Sequence, residues 1–387
     1  MPQRKPMPKG YWTLWTTVAL DLVGFGIVAP LLPLYAERFG ASGLATGLLF
    51  ASFSAAQFVF APVLGRWSDR VGRKPVILIS LFGTAIGSFV TAAGGSLWVL
   101  FVGRVLDGAS GASVSVAQGA VTDLAAPQDR PRLLGMLGAA FGVGFVIGPA
   151  IGGLASLGGV RLPFIVAGCI ALVNAVVAIR RLPETHGRRA RPATGFVPQR
   201  SLQRLAAVGF LTTVAFGGFE AMFSRFGHDR FALTEGSVSV VFVVIGLWLV
   251  VVQGGIVGRV SARVDAGGLV QGGLVLLAIG MALLAAATTW WVLVPALALL
   301  ATGQAVVAPS LTTLVADRAD AVTRGEALGR QQSASALARI VGPVVAGVLF
   351  DRGVALPYAV AAGLVGVALV VATSATSRYL SPASARP

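Results

Sequence analysis

Four charged side chains stand where water is scarce. Asp21, Arg104, Asp107 and Glu220 each interrupt a stretch of roughly twenty otherwise apolar residues, the length that crosses a bilayer as a helix. A carboxylate there costs at least ~2.5–3.5 kcal/mol on insertion scales, so it faces an internal cavity and marks an ion path, a proton relay or an internal pairing. Asp21 lies ten residues beyond Tyr11, about 15 Å along a helix and near the middle of a membrane. It is the only charged residue of its stretch, and loading and releasing a proton is the chemistry open to it. The plainer alternative is a polar group hydrogen-bonded to a neighbouring helix. Arg104 and Asp107 are three apart on one helix face and can pair directly; a static ion pair and a proton-linked pair both fit that spacing. Glu220 sits in the aromatic run Phe216-Gly217-Gly218-Phe219-Glu220-Ala221-Met222-Phe223, close enough to a helix end that a solvated carboxylate and a functional one are equally consistent.

Other chemistries find no foothold. Cys169 is the only cysteine, so no intramolecular disulfide forms, and His186 and His228 are the only histidines. In the topology below these two lie on opposite sides of the membrane, which leaves no His or Cys metal cluster. A membrane-embedded enzyme needs a nucleophile or metal constellation, and the sequence shows no catalytic residues of either kind. Lys5, Lys9 and Lys74 are the only lysines, and none completes a G-K-[ST] phosphate loop. No cofactor is expected.

The elements that must position the four charges are membrane helices. The 387-residue chain is 56% hydrophobic and 12% charged. Windows 44–64, 76–93, 133–157, 162–179, 236–257, 268–289, 292–315 and 354–377 carry no charge, and 12–35, 97–122, 205–224 and 327–350 carry one or two ionisable groups. These predict twelve spans in an all-α integral membrane protein. The formal net charge of +15 is topological rather than a nucleic-acid signal. With the amino terminus inside, the cytoplasmic segments hold 23 Lys and Arg against 5 outside, a bias that fixes orientation because these residues resist translocation. Both termini are then cytoplasmic, in a multi-pass protein of the cell (inner) membrane. Basic Met1–Lys9 precedes an apolar stretch that continues to Tyr35 without a small-residue cleavage site, which reads as a retained first helix.

Between the second and third spans runs Gly65-Arg66-Trp67-Ser68-Asp69-Arg70-Val71-Gly72-Arg73-Lys74-Pro75, a short basic turn. A generic positive-inside turn explains its arginines but not the spacing of Gly65, Asp69 and Gly72. The chain is also a duplication. A shift of 194 pairs Asp123 with Asp317 and Gly148-Pro149 with Gly342-Pro343, and a shift of 193 pairs Gly65, Arg66, Ser68 and Arg70 with Gly258, Arg259, Ser261 and Arg263. Such shifts span an even number of helices, so the halves keep one orientation, related by a pseudo-two-fold axis along the membrane normal. The expected division is a six-helix bundle over 1–180, a cytoplasmic linker over 181–203 and a second bundle over 204–387. The second turn has Ala262 where the first has Asp69, and Asp265 where the first has Gly72. A charge mechanism kept mainly in the first half is the natural reading.

The first turn matches the G-x-x-x-D-R-x-G-R-[KR] signature of the major facilitator superfamily, and the resemblance covers nearly the whole chain. Asp21-Leu22-Val23-Gly24-Phe25 through Pro30 to Pro33 resembles the first helix of its twelve-span drug/proton antiporters, especially the tetracycline-exporter-like branch. Gly144, Gly148, Pro149, Gly152 and Gly153 are similar to that group's helix-five antiporter motif. Arg104 with Gly108 and Gly111 is similar to its helix-four motif, departing at Asp107, where the family usually has an uncharged residue. The bare glycine stripe permits close helix packing, and Pro149 permits a bend, so tight packing and a rocking hinge both fit.

The resemblance implies a proton-coupled exporter of small amphipathic or lipophilic compounds, working by alternating access. Its partners would be a small-molecule substrate, protons and the lipid bilayer, with no nucleic acid, and it would function as a monomer. Asp21, Arg104, Asp107 and Glu220 would carry proton coupling; Gly65, Asp69, Arg70, Gly72, Arg73 and Asp123 would form the cytoplasmic gate. Phe25, Phe216, Phe219 and Phe223 would line the substrate site. Export of a sugar or another native metabolite is the rival, disfavoured by a chain whose only asparagine is Asn174.

Overall fold

Long apolar segments leave the backbone no water to bond, so helices that satisfy their own N–H and C=O groups are the expected outcome. The computed structural model describes residues 7–126, 129–185, 200–319 and 324–376. Its order begins α1 (Tyr11–Glu37), α2 (Gly43–Val71), α3 (Arg73–Ala93), α4 (Leu97–Ser110), α5 (Ser113–Leu124), α6 (Arg130–Ser156) and α7 (Leu162–Arg181). It continues with α8 (Arg200–Phe231), α9 (Glu235–Val251), a π-helical turn over Val252–Val257, α10 (Gly258–Val260), α11 (Ala266–Ala286), α12 (Trp290–Arg318), α13 (Arg324–Phe350) and α14 (Leu356–Thr376). Among the described residues, 12 helices are long and apolar enough to cross a membrane, with α4 and α5 sharing one span and α9 to α10 another. The protein is an all-helical, multi-pass membrane protein. Most of the linker expected over 181–203, Thr194 included, lies outside the described residues, as does His186.

The chain forms two compact units. The first comprises Met1–Ala41, Ser52–Arg191 and Leu233–Val244; the second comprises Ser42–Ala51, Pro192–Ala232 and Ile245–Pro387. A division at the linker therefore misses two short exchanges, in which the amino-terminal ends of α2 and α9 pack with the opposite half. Glycines explain both. A Cβ on Gly47 would meet the Pro343 backbone, and one on Gly347 would meet Gly43, so α2 and α13 approach backbone to backbone. The Asp351 carboxylate then accepts from the free amides of Gly43 (2.5 Å) and Leu44 (2.8 Å) at the start of α2. In the first unit, a Cβ on Gly153 of α6 would lie 2.7 Å from Ser239 Cβ of α9, and Arg38 pairs with Glu235 at 2.7 Å.

The first unit is organised around α1, whose carboxy-terminal half is almost wholly buried. Tyr11 Oη donates to Leu133 O (2.7 Å), Trp15 Nε1 to Met136 O (2.8 Å) and Asn174 Nδ2 to Thr17 O (2.8 Å). These bonds tie α1 to α6 and α7. The glycine stripe of α6 continues the same contact: a Cβ on Gly148 would fall 2.6 Å from Gly26 Cα, and one on Gly144 would fall 2.7 Å from Leu22 O. Gly152 lies against Ile27 in the same way. Close packing beside Pro149 brings the α6 backbone against the segment of α1 that carries Asp21.

Candidate functional site

Two polar clusters stand out in the first unit. The first surrounds Asp21, half-buried on α1. Ser113, 2% exposed at the start of α5, donates its hydroxyl to the Asp21 carboxylate. One turn before the end of α4, Arg104 Nη1 lies 2.9 Å from Asp107 Oδ2, with the arginine side chain 3% exposed. The guanidinium also sits 4.2 Å from the centre of the Phe53 ring of α2, a cation–π contact in a dry setting. Thr84 of α3 gives Asp107 a further side-chain hydrogen bond. Asp107 is in turn an electrostatic neighbour of Asp21. Two acids, one arginine and two neutral donors, Ser113 and Thr84, therefore share one intramembrane cluster.

Phe25, one turn beyond Asp21, is half-buried and packs its ring 5.8 Å from that of Phe53. Ser113 and Thr84 of this cluster were not picked out from sequence, nor was Gln57 of α2, which donates to Gly111 O just after α4 (2.7 Å). Ser113 and Gln57 are polar residues inside apolar spans, a signal as visible as the charges, but neutral side chains are common enough in such spans to pass unnoticed.

The second cluster is built on the basic turn. Gly72 takes φ +102°, a conformation that side-chain-bearing residues avoid, and ends α2 just before α3 begins. Arg73 folds back with its side chain 11% exposed. Its guanidinium meets Asp69 at 2.5 Å, Asp123 of α5 at 3.0 Å and Ser68 Oγ at 2.7 Å. A Cβ on Gly119 would come within 2.9 Å of the guanidinium carbon, so that glycine makes room for it. Glu184, just after α7, accepts from the amides of Arg73 (2.7 Å), Lys74 (3.4 Å) and Thr185 (3.0 Å). A carboxylate on the free amides of a helix start is favourable both as a hydrogen-bond acceptor and against the helix dipole. Gly72 is required here twice, since any Cβ would also lie 2.5 Å from a Glu184 carboxylate oxygen.

Arg70 is exposed, and a Cβ on Gly65 would meet nothing within 4 Å. Gly65 O instead accepts from Ser68 Oγ (2.7 Å). Glu184 and Gly119 could not be picked out from sequence, because only the packing of α7 and α5 beside α3 brings them to the turn.

The second unit holds a sparser arrangement. Glu220 of α8 is an electrostatic partner of Arg339, a buried arginine on α13. Phe219 and Phe223 are 2% and 0% exposed, in a stack that runs from Phe216 through Phe219 and Phe223 to Phe226 with neighbouring centroids 5.7, 5.1 and 6.2 Å apart. Phe216 is half-buried and Phe223 is sealed in the core. Among the described residues, no group of three or more His, Cys, Asp and Glu is placed to hold a metal.

Comparison with known proteins fits this geometry. The profile of the Major Facilitator Superfamily matches residues 14–270 and 254–386. The chain is 32% identical over 349 residues to the class E tetracycline resistance protein of Escherichia coli, covering 86% of each chain. It is 33% identical over 343 residues to the class C protein of the same organism, covering 85% of this chain and 86% of that one. Multidrug resistance protein 1 of Bacillus subtilis is 28% identical over 375 residues, 94% of this chain and 95% of that one. Among solved structures, the human organic anion transporter MFSD10 superposes with a TM-score of 0.72 at 27% identity, covering 94% of this chain and 98% of that one. A point mutant of the nucleoside transporter NupG shares the fold at a TM-score of 0.77 and 13% identity, covering 95% of this chain and 99% of that one. A profile match through both halves, with relatives above 30% identity over most of the length, places the chain in the major facilitator superfamily, on its drug-efflux branch, as a multi-pass membrane transporter of small molecules.

Proposed function

We propose that this protein is a proton-coupled exporter of small amphipathic compounds, tetracycline-like molecules among them, and that it works by alternating access. The observation that carries the reading is Asp21, a carboxylate in the middle of a membrane helix, held by a serine hydroxyl and neighboured by the Arg104–Asp107 pair. An acid so placed can take a proton from one side and give it up to the other, provided substrate and proton compete for its charge. In the first unit Phe25 offers half-buried aromatic surface for a lipophilic substrate; in the second Phe216 does, with Phe219 and Phe223 stacked behind it. Glu220 with Arg339 offers a second charged contact.

The turn at Asp69, Gly72 and Arg73, locked to Asp123, acts as the gate on the cytoplasmic side, where both termini also lie. The names of the relatives support export of drugs, tetracycline foremost. Proteoliposomes with an imposed pH gradient test the reading, using tetracycline, a lipophilic cation, an organic anion and a sugar as probes. Uphill movement of tetracycline or the lipophilic cation that collapses with the gradient is expected. Transport indifferent to the gradient, or confined to the sugar, overturns it.

A further inference from the structure

The span that carries Arg104 and Asp107 is broken at the level of Asp21. After α4, Gly111 N bonds to Gly108 O (3.0 Å) and Ala112 N to Ser110 O (2.8 Å), tight turns rather than α-helical ones. Regular bonding across the junction returns with Val116 N to Ala112 O at 2.9 Å. A break in a membrane helix strands backbone groups that must find partners among neighbouring side chains. Gln57 of α2 supplies one, donating its Nε2 to Gly111 O at 2.7 Å. A Cβ on Gly111 would lie 2.8 Å from that nitrogen, so glycine is what lets the amide reach the backbone.

Phe53 stands one turn earlier on the same face of α2, against Arg104 and so close to Gly108 that a Cβ there would meet its backbone. One face of α2 therefore touches the end of α4 and the turn at the break itself. On the far side of the break the first residue of α5 is Ser113, whose hydroxyl reaches Asp21.

We propose that this break is a positioning device for the proton site, in which Gln57 fixes the Gly111 turn so that Ser113 presents its hydroxyl to Asp21 and sets the pH at which Asp21 exchanges its proton. The proposal rests on the reading of Asp21 as the coupling carboxylate. An O–H donor stabilises a carboxylate over the neutral acid. Rotation of α5 about the break withdraws the donor and favours the protonated form, which links a change in helix geometry to proton uptake.

The surroundings isolate the effect. Arg104 and Asp107 on α4 are the charged groups beside Asp21. The packed helices contribute none at this depth: α2 from Gly43 to Gly65, α3 after Lys74, α6 beyond Arg132 and α7 before Arg180 carry no charge. Gln57 also connects the site to the turn, because Ser68 and Asp69 lie on the same helix about 16 Å further along.

The test is an infrared titration of the full-length protein in lipid, following the protonated-carboxyl band that disappears in Asp21→Asn. We expect Ser113→Ala to raise the pH midpoint of that band by about one unit, a tenfold change in proton affinity. Ser113→Thr, which keeps a hydroxyl, should restore the original midpoint. Gln57→Ala should shift it in the same direction by a smaller step without touching the carboxylate's partner. Unchanged midpoints in both Ser113→Ala and Gln57→Ala overturn the proposal while leaving Asp21 as the coupling group. A titrating band that survives intact in Asp21→Asn instead overturns the reading on which the proposal rests.

Discussion

The two turns that open α3 and α11 descend from one duplicated segment, yet they are held in different ways. In the first, Arg73 is buried against Ser68, Asp69 and Asp123, while Glu184 from beyond α7 caps the new helix. Every one of those bonds except the two within the turn reaches a distant part of the chain. In the second, the residues from Arg259 to Asp265 are exposed, and Arg259 bonds back to Gly255 O (2.9 Å) on its own helix. Asp265 caps α11 locally, accepting from Gly267 N at 3.0 Å. A π-helical turn over Val252–Val257 precedes it. Replacing Asp69 and Gly72 by Ala262 and Asp265 has thus exchanged a clamp between helices for a self-contained cap. The first turn binds α3 to α5 and to the chain just after α7; the second only starts a helix.

The largest contrast is expected at the arginines. Arg73→Ala leaves the Asp123 carboxylate, 10% exposed, without its cation, and loss of one partner of a buried pair costs about 3–5 kcal/mol. Thermal unfolding in detergent should show that loss and transport should fall with it, whereas Arg259→Ala should leave both near wild type. Equal tolerance at the two positions would break the comparison. Next come the glycines. Gly72→Ala combines a positive φ with a Cβ inside the Glu184 carboxylate and should destabilise by about 1–3 kcal/mol. Gly258 has neither constraint, so Gly258→Ala should be neutral or slightly stabilising in the same melt.

The smallest step separates the caps. Glu184→Ala removes an acceptor from three amides and should cost about 1–2 kcal/mol; Asp265→Ala removes one and should cost about 0.5–1 kcal/mol. Equal melting temperatures for those two variants would show that Glu184 is not the clamp its geometry suggests.

What could be read in advance follows from the range of the interactions involved. Twelve spans were legible because apolar length is a local property, as was the Arg104–Asp107 pair across one helical turn. The residues of the first turn were legible as a spacing, but the place of Gly72 was not, because half of it depends on Glu184 arriving from beyond α7. Ser113 and Gln57 escaped for a different reason: an unbroken span was expected where the chain turns at Gly111. The exchanged ends of α2 and α9 escaped too, since close backbone contacts at Gly43, Gly47 and Gly153 are set by partners far along the chain.

The central claim is that Asp21, and not Glu220 in the other half, couples the proton to the substrate. Proton release from detergent-solubilised protein on addition of tetracycline measures it directly, comparing wild type with Asp21→Asn and Glu220→Gln. Release abolished in Asp21→Asn and retained in Glu220→Gln is the predicted result. Full release from Asp21→Asn, whatever Glu220→Gln does, would contradict the claim and leave Asp21 as a structural partner of Ser113.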